Sequence, residues 1–152
     1  MRFNKILITS FVATSLVAGV VQAQDRSASA RQSQMKLLAF NMGQLGSMAK
    51  GSLAYDATTA EAAATNILML SKLDSAAMWP EGTDDMSLDG TRAMPSIWEN
   101  MADFQAKSSA LTTAAEGMAA AAGNGLDALK GAMGPLGGSC GACHKAYRTP
   151  KN

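Results

Sequence analysis

Five residues near the carboxyl end of the chain have types and a spacing that suit one chemistry: Cys140, Gly141, Ala142, Cys143 and His144. Cys-x-x-Cys-His is the attachment signature of c-type haem. On a helix, residues three and four apart share a face, so both thiols and the imidazole project together. The thiols can form thioethers with the two haem vinyl groups while the imidazole faces the iron. The motif therefore predicts one covalently bound haem c, tethered by Cys140 and Cys143, with His144 as the proximal ligand.

Three other uses of this motif find less support in the rest of the sequence. A redox Cys-x-x-Cys pair expects a thioredoxin-like βαβ context, which the sequence does not show. A disulfide across two intervening residues would stabilise the chain little, because the gain grows with loop length. Zinc needs four ligands, and a chain with 2 Cys and 1 His would need carboxylates to complete the set.

The first 23 residues have the composition of a secretory signal peptide. Arg2 and Lys5 form a positive start, residues 6–21 are mostly apolar, and Ala23 offers a small residue before a cleavage point at Gln24. A retained membrane anchor would need about 20 apolar residues, whereas this stretch is shorter and contains Thr and Ser. We therefore predict a signal peptide over residues 1–23 and a periplasmic location.

Residues 24–152 are then long enough for one domain with its own core. Without Arg2 and Lys5, 11 basic residues face 12 acidic ones, a net charge of −1 before the haem propionates are counted. That balance argues against nucleic acid as a partner. Since no further run of 18 or more apolar residues occurs, we expect the mature domain to be soluble.

The composition of this domain favours helices, because Ala, Leu and Met are abundant and Val and Ile are scarce. Apolar residues recur at alternating spacings of three and four in four segments, as in helices of a bundle. We predict an all-α domain with helices over residues 28–50, 58–73, 95–118 and 126–147. Residues 79–92, rich in Gly, Pro and Asp, form a linker without periodicity.

The helix boundaries follow from individual residues. Gly51 is placed to end the first helix, Thr58 or Thr59 to cap the second, and Pro95 to begin the third. The fourth helix contains Pro135, which should kink or break it. Because its apolar spacing keeps the same phase on both sides of this proline, we expect a kink rather than a reversal of the chain.

Three segments together resemble the class II c-type cytochromes, that is, cytochrome c′ and its low-spin relatives. These segments are residues 140–148 with the haem motif, Arg31-Gln32 at the start of the first helix, and residues 95–98 at the start of the third. The resemblance covers residues 28–149. It implies an antiparallel up-down-up-down four-helix bundle with covalently attached haem c near the C-terminus.

The resemblance also implies roles for single residues. Arg148 would flank the proximal face of the haem, where it can meet a small ligand, and Arg31 and Gln32 would lie where the family contacts a haem propionate. Without the resemblance, both arginines fit an exposed helix surface equally well. Met35, four positions after Arg31, would face the sixth coordination position of the iron.

Met35 fits two functions. If its sulfur binds the iron opposite His144, the iron is six-coordinate and the protein is an electron carrier that serves periplasmic or membrane-bound redox proteins. If Met35 only covers the iron, the family implies a gas-binding protein for nitric oxide or carbon monoxide. Met42 and the Met78-Trp79 pair could also line the distal pocket, and core packing is the alternative use of any methionine.

Two other expectations are weaker. Peroxidase or reductase chemistry needs an acid–base group over the iron, and the chain has no second His to supply that group. We therefore expect a carrier or gas-binding protein rather than an enzyme. Homodimers are common in the family, and the exposed faces of the first two helices could support one.

Overall fold

A computed structural model of the protein describes residues 15–150, with side chains described from residue 26 onward. Within these residues the chain is helical apart from its connections and one isolated β-bridge. The elements are α1 (Ser15–Ala49), α2 (Ala57–Ser71), a 3₁₀ helix (Ala76–Met78), α3 (Ser96–Glu99), α4 (Met101–Ala121) and α5 (Leu126–Tyr147). The predicted all-α class is confirmed. Among the helices described here, none combines the length and apolar character that a membrane span requires.

The four long helices form an antiparallel bundle. Contacts of α1 with α2, α2 with α4, α4 with α5 and α5 with α1 close a ring around one core. Short connections join α1 to α2 and α4 to α5, which makes each pair antiparallel neighbours. Residues 72–95, called the linker below, connect α2 to α3. The core consists of these buried residues: Leu38, Leu45, Met48, Ala60, Ala63, Ala64, Ile67, Ala115, Met118, Ala122, Leu129 and Leu136.

Helix α1 already includes residues 15–27, so the predicted start at Ala28 was wrong. Residues 15–27 contain no proline, so no missing backbone N–H interrupts the helix there. The predicted cleavage point before Gln24 lies inside α1, while residues 1–14 of the predicted signal peptide lie outside the described residues. The predicted end is confirmed, because Gly51 follows α1 with a φ of 78°.

The cap of α2 is Asp56, so the prediction of Thr58 or Thr59 was wrong. The Asp56 carboxylate accepts a hydrogen bond from the Thr59 backbone N–H at 2.7 Å. Hydrogen bonds from the Thr59 side chain and from its backbone N–H hold the pKa of Asp56 below its ordinary value. Both threonines lie within the first turn of α2, because Asp56 takes the capping position that satisfies a free N–H.

The predicted third helix is divided in two at Asn100. This residue has φ −137° and ψ 55°, outside the helical region, and separates α3 from α4. Asparagine favours such positions because its side chain competes with the backbone for hydrogen bonds. The apolar face nevertheless continues across the break, with Ile97, Ala115 and Met118 buried.

Helix α5 continues through Pro135 without a reversal of the chain, as the apolar phase predicted. Proline removes one helical hydrogen bond, but the helix is held by its packed side. Leu129 and Leu136 are fully buried in the core, and Tyr147 is 5% exposed in a second apolar cluster. The apolar stripe of α5 therefore reaches from the core to the segment that carries the cysteines and the histidine.

We predict that Leu129→Ala destabilises the bundle by about 2–5 kcal/mol, the cost of a cavity at a site that cannot collapse. Leu129 is 0% exposed, whereas Leu37 on α1 is 52% exposed. Leu37→Ala is therefore the matched control and should change the free energy of unfolding little. Denaturant unfolding of the holoprotein measures both, and equal losses in the two variants would contradict the core described above.

Candidate functional site

The last turns of α5 bring Cys140, Cys143 and His144 onto one side of a single helix. All three side chains are half-buried, and the two thiols are free rather than joined in a disulfide. Within the part of the chain that is described, no group of three or more His, Cys, Asp and Glu residues is arranged to hold a metal ion. The described residues therefore show neither a zinc site nor a disulfide in this segment.

Burial sets the protonation of these three groups. It raises the pKa of the Cys140 and Cys143 thiols. It lowers the pKa of the His144 imidazole, and the positive charges of Arg148 and Arg92 act in the same direction. At neutral pH the imidazole is therefore neutral, which is the form that coordinates metals.

A second apolar cluster lies beside Cys143. Ala93, Ile97 and Tyr147 are its buried members, and Cys143 packs against them together with residues of the linker and α4. Three rings form a continuous series here: Trp79 lies 4.7 Å from Phe104, and Phe104 lies 5.5 Å from Tyr147, both in edge-on geometry. Aromatic packing thus connects the linker to the end of α5.

Tyr147 is fixed by a polar contact at its outer edge. Its hydroxyl donates to Oδ2 of Asp103 at 2.5 Å, and Lys107 lies 3.4 Å from the same oxygen. This hydrogen bond raises the pKa of Tyr147 to about 12 and, with the help of Lys107, holds the pKa of Asp103 below its ordinary value. Tyr147 therefore stays neutral and anchored on α4.

Arg31 of α1 also contacts the linker and is 3% exposed. Its Nη1 donates to the Met78 carbonyl at 3.1 Å and to Thr83 Oγ1 at 2.7 Å. Its Nη2 donates to the Thr83 carbonyl and to Thr91 Oγ1. The guanidinium carbon lies 4.7 Å from the centre of the Trp79 ring, a cation–π contact. Arg31 therefore contacts the linker with all four of its terminal N–H groups.

Gln32 and the residues after α5 bind other parts of the same linker. Gln32 Nε2 donates to the Gly90 carbonyl at 2.9 Å. Arg148 pairs with Ala93 in the isolated β-bridge, and its side chain is exposed. The predicted roles of Arg31, Gln32 and Arg148 toward the haem stay predictions, while their protein contacts place all three around the linker.

Met35 is 39% exposed and belongs to neither apolar cluster. Leu38, three residues later on α1, is 8% exposed and lies in the core. Met42 packs against the core, and Met78 is half-buried with its carbonyl bonded to Arg31. Met78, like Met35, belongs to neither apolar cluster, and Met35 is the most exposed of these three methionines.

Sequence reasoning missed Thr83 and Asp103 as parts of this region. The chain has 2 Trp residues, and a tryptophan in a Pro- and Gly-rich linker is a signal that it packs against something. Thr83 and Asp103 gave no such signal, because their partners lie 52 and 44 residues away along the chain.

The residues present fit a covalently held haem. Two neutral thiols and one neutral imidazole lie on adjacent turns, beside an apolar aromatic cluster, and Met35 offers a thioether on another helix. A model of the cytochrome c′ family matches residues 26–148. The chain belongs to the cytochrome c′ family.

Relatives and solved structures agree with this assignment. Cytochrome c-554 of Cereibacter sphaeroides is 42% identical over 139 residues, 88% of this chain and 91% of the relative. A structure of cytochrome c′ from Rhodobacter sphaeroides has a TM-score of 0.82 and 35% identity, with 84% of this chain and 98% of that chain covered. The nitric oxide complex of a cytochrome c′ variant from Alcaligenes xylosoxidans has a TM-score of 0.73 and 35% identity, covering 84% and 97%.

Proteins of the cytochrome c′ family carry one covalently attached haem c, act as electron carriers or gas-binding proteins, and are periplasmic. Haem c is therefore the cofactor of this chain, and the four-helix bundle predicted from the resemblance is confirmed.

We predict that Tyr147→Phe removes a pH-dependent part of the stability of this cytochrome. Because Tyr147 has a raised pKa in the folded protein, its contribution is complete below the unfolded pKa of about 10. It is lost as pH rises toward about 12. The difference in unfolding free energy between wild type and Tyr147→Phe should thus be constant near neutral pH and shrink between these two values. Denaturant unfolding at stepped pH measures it, and Tyr55, present in both proteins, cancels. A difference that stays constant up to pH 12 would contradict the Tyr147–Asp103 bond.

Proposed function

We propose that this protein is a periplasmic electron carrier in which Cys140 and Cys143 hold haem c and His144 and Met35 are the two axial ligands. The haem supplies the redox-active iron when bound. Export by a signal peptide over residues 1–23 is part of the proposal, because haem c cytochromes of this family work in the periplasm. Residues 24–152 would be the mature domain.

The exposure of Met35 is the observation that carries the axial assignment. A methionine on the inner stripe of a bundle helix normally fills space in the core. Met35 does not, since it is 39% exposed while Leu38 on the same stripe is 8% exposed. Its flexible thioether is therefore free to serve as a ligand, in the His and Met pattern that raises the reduction potential of haem iron.

The protein contributes rigidity to electron transfer. The neutral His144 lies on a helix packed in the core, and burial keeps it neutral. If both axial ligands stay in place in the oxidised and reduced protein, little rearrangement accompanies the transfer. The partner would be a periplasmic or membrane-bound redox protein that binds through a small and weak interface.

A second function, the binding of nitric oxide or carbon monoxide, is favoured by one comparison. A cytochrome c′ variant that is 35% identical to this chain has been solved as its nitric oxide complex. In this function Met35 would cover the distal side without binding the iron, and the exposed Arg148 would lie near a ligand on the proximal side. The two functions share the tether and His144 and differ only in the use of Met35.

We expect the wild-type holoprotein to give low-spin visible and EPR spectra, and Met35→Leu to give high-spin spectra, because leucine keeps the volume and removes the sulfur. Ferrous Met35→Leu should bind carbon monoxide faster than wild type. Met69→Leu is the matched control, since Met69 lies on α2 and is 57% exposed. Its spectra should equal those of wild type.

Two results would count against the electron-carrier proposal. A high-spin wild type that takes up carbon monoxide readily supports the gas-binding function instead. A low-spin wild type whose spectrum survives Met35→Leu means that another residue is the distal ligand, and Met42→Leu and Met78→Leu then identify it.

A further inference from the structure

The linker, residues 72–95, is bound at two places that lie close along the chain to the proposed axial ligands. The first place is α1, where Arg31 donates to the carbonyl of Met78 and to Thr83 and Thr91. Arg31 precedes Met35 by four residues, which is one turn of the same helix. The linker is thus held against the turn of α1 that leads to Met35.

The second place is the end of α5. The Met94 N–H donates to the Tyr147 carbonyl at 3.0 Å, and the Thr149 N–H donates to the Arg92 carbonyl at 3.0 Å. Arg92 Nε donates to the Thr149 carbonyl at 2.7 Å, and the Thr149 hydroxyl bonds Asp85. These contacts begin three residues after His144, so the linker also holds the turn of α5 that follows the proximal ligand.

We infer that the linker is a clamp between the Met35 turn of α1 and the His144 turn of α5, and that Arg31 is the positioning residue that keeps this clamp closed. The inference rests on the proposed function, in which Met35 and His144 face the iron. It gives Arg31 a task in axial ligation that is carried out through the linker.

Burial of the Arg31 charge explains why the linker should rarely open. Burial lowers the pKa of Arg31, and the nearby Asp84 acts in the opposite direction. A buried guanidinium is tolerated only while its donors are paired, so opening the linker would leave a buried charge without partners. Within the linker, the Asp85 N–H donates to the Ala93 carbonyl at 2.8 Å, which ties the Arg31 side to the α5 side.

This task needs no contact between Arg31 and a haem propionate. All four terminal N–H groups of Arg31 donate to the linker, and the face of the guanidinium lies over Trp79. Trp79 in turn packs on Phe104, and Phe104 packs on Tyr147 of α5. Arg31 is therefore linked to the end of α5 both by backbone hydrogen bonds and by the aromatic series.

The test compares Arg31→Gln and Thr91→Val with wild-type holoprotein. Thr91→Val removes one acceptor of Arg31 and keeps the side-chain volume, so it stays informative if Arg31→Gln folds poorly. Two quantities are measured: hydrogen exchange of the Asp85, Met94 and Thr149 amides, and the rate of carbon monoxide association with the ferrous protein.

Arg31→Gln should speed exchange of all three amides and raise the association rate about tenfold, the effect of losing one strong hydrogen bond to a charged group. Thr91→Val should shift both quantities in the same direction by a smaller factor. Tyr55→Phe is the control, because Tyr55 bonds Ala122 and Gly125 at the other end of the bundle. It should lower thermal stability and leave the association rate at the wild-type value.

Faster amide exchange with an unchanged association rate would mean that the linker is only structural, and unchanged exchange would mean that Arg31 does not close it. An equal rise in Tyr55→Phe would assign the effect to general loosening. Each of these results overturns the clamp. A high-spin wild-type spectrum overturns only the proposal that Met35 binds the iron. The clamp is still tested in that case, because the ratio of variant to wild-type association rates shows whether the linker holds the residue that covers the iron.

Discussion

The structure depends on one stripe of α5 that has two tasks. Leu129 and Leu136 on this stripe are fully buried in the core, and the same spacing continues to Cys140 and Cys143. The residues that tether the cofactor are therefore fixed by the packing that holds the bundle together. A shift of α5 would expose core residues and move the tether at once, so the helix continues through Pro135 despite the missing hydrogen bond. The burial that orders His144 also keeps it neutral.

The linker is held in one arrangement although it has little regular secondary structure. The linker, residues 72–95, contains no α-helix, has one short 3₁₀ helix and shares one isolated β-bridge with the chain end. Its order comes from a buried charge on α1 and from backbone bonds to the residues after α5. Buried charged groups add less to stability than their number of hydrogen bonds suggests, because desolvation offsets much of the gain. Their stronger effect is on uniqueness, since few other arrangements satisfy Arg31.

The sequence predicted the parts of this protein that depend on local spacing. The all-α class, the phase of α5 across Pro135 and the end of α1 at Gly51 follow from periodicity and from residue types. The boundaries at Asp56 and Asn100 were missed because several residues compete for each and a periodic pattern does not rank them. The hydrogen-bond partners of Arg31 could not be predicted from the sequence, since they lie 47 to 60 residues away along the chain. The resemblance to a family drew attention to Arg31, and only the fold revealed its partners.

The same fold can serve electron transfer or gas binding because the two functions differ in a single equilibrium. The tether, the neutral imidazole and the bundle are common to both, so a fold of this kind does not decide between them. In the function proposed above, the deciding quantity is the free energy of the Met35 thioether at the iron relative to the open arrangement. A change of about 5.5 kcal/mol moves such an equilibrium from almost fully open to almost fully closed. A few hydrogen bonds to charged groups, at about 1.5–3 kcal/mol each, are of this size. Contacts of this size, such as those of Arg31 with the linker, are therefore large enough to select between the two proposed functions, and the absence of Met35 from both apolar clusters leaves it responsive to them.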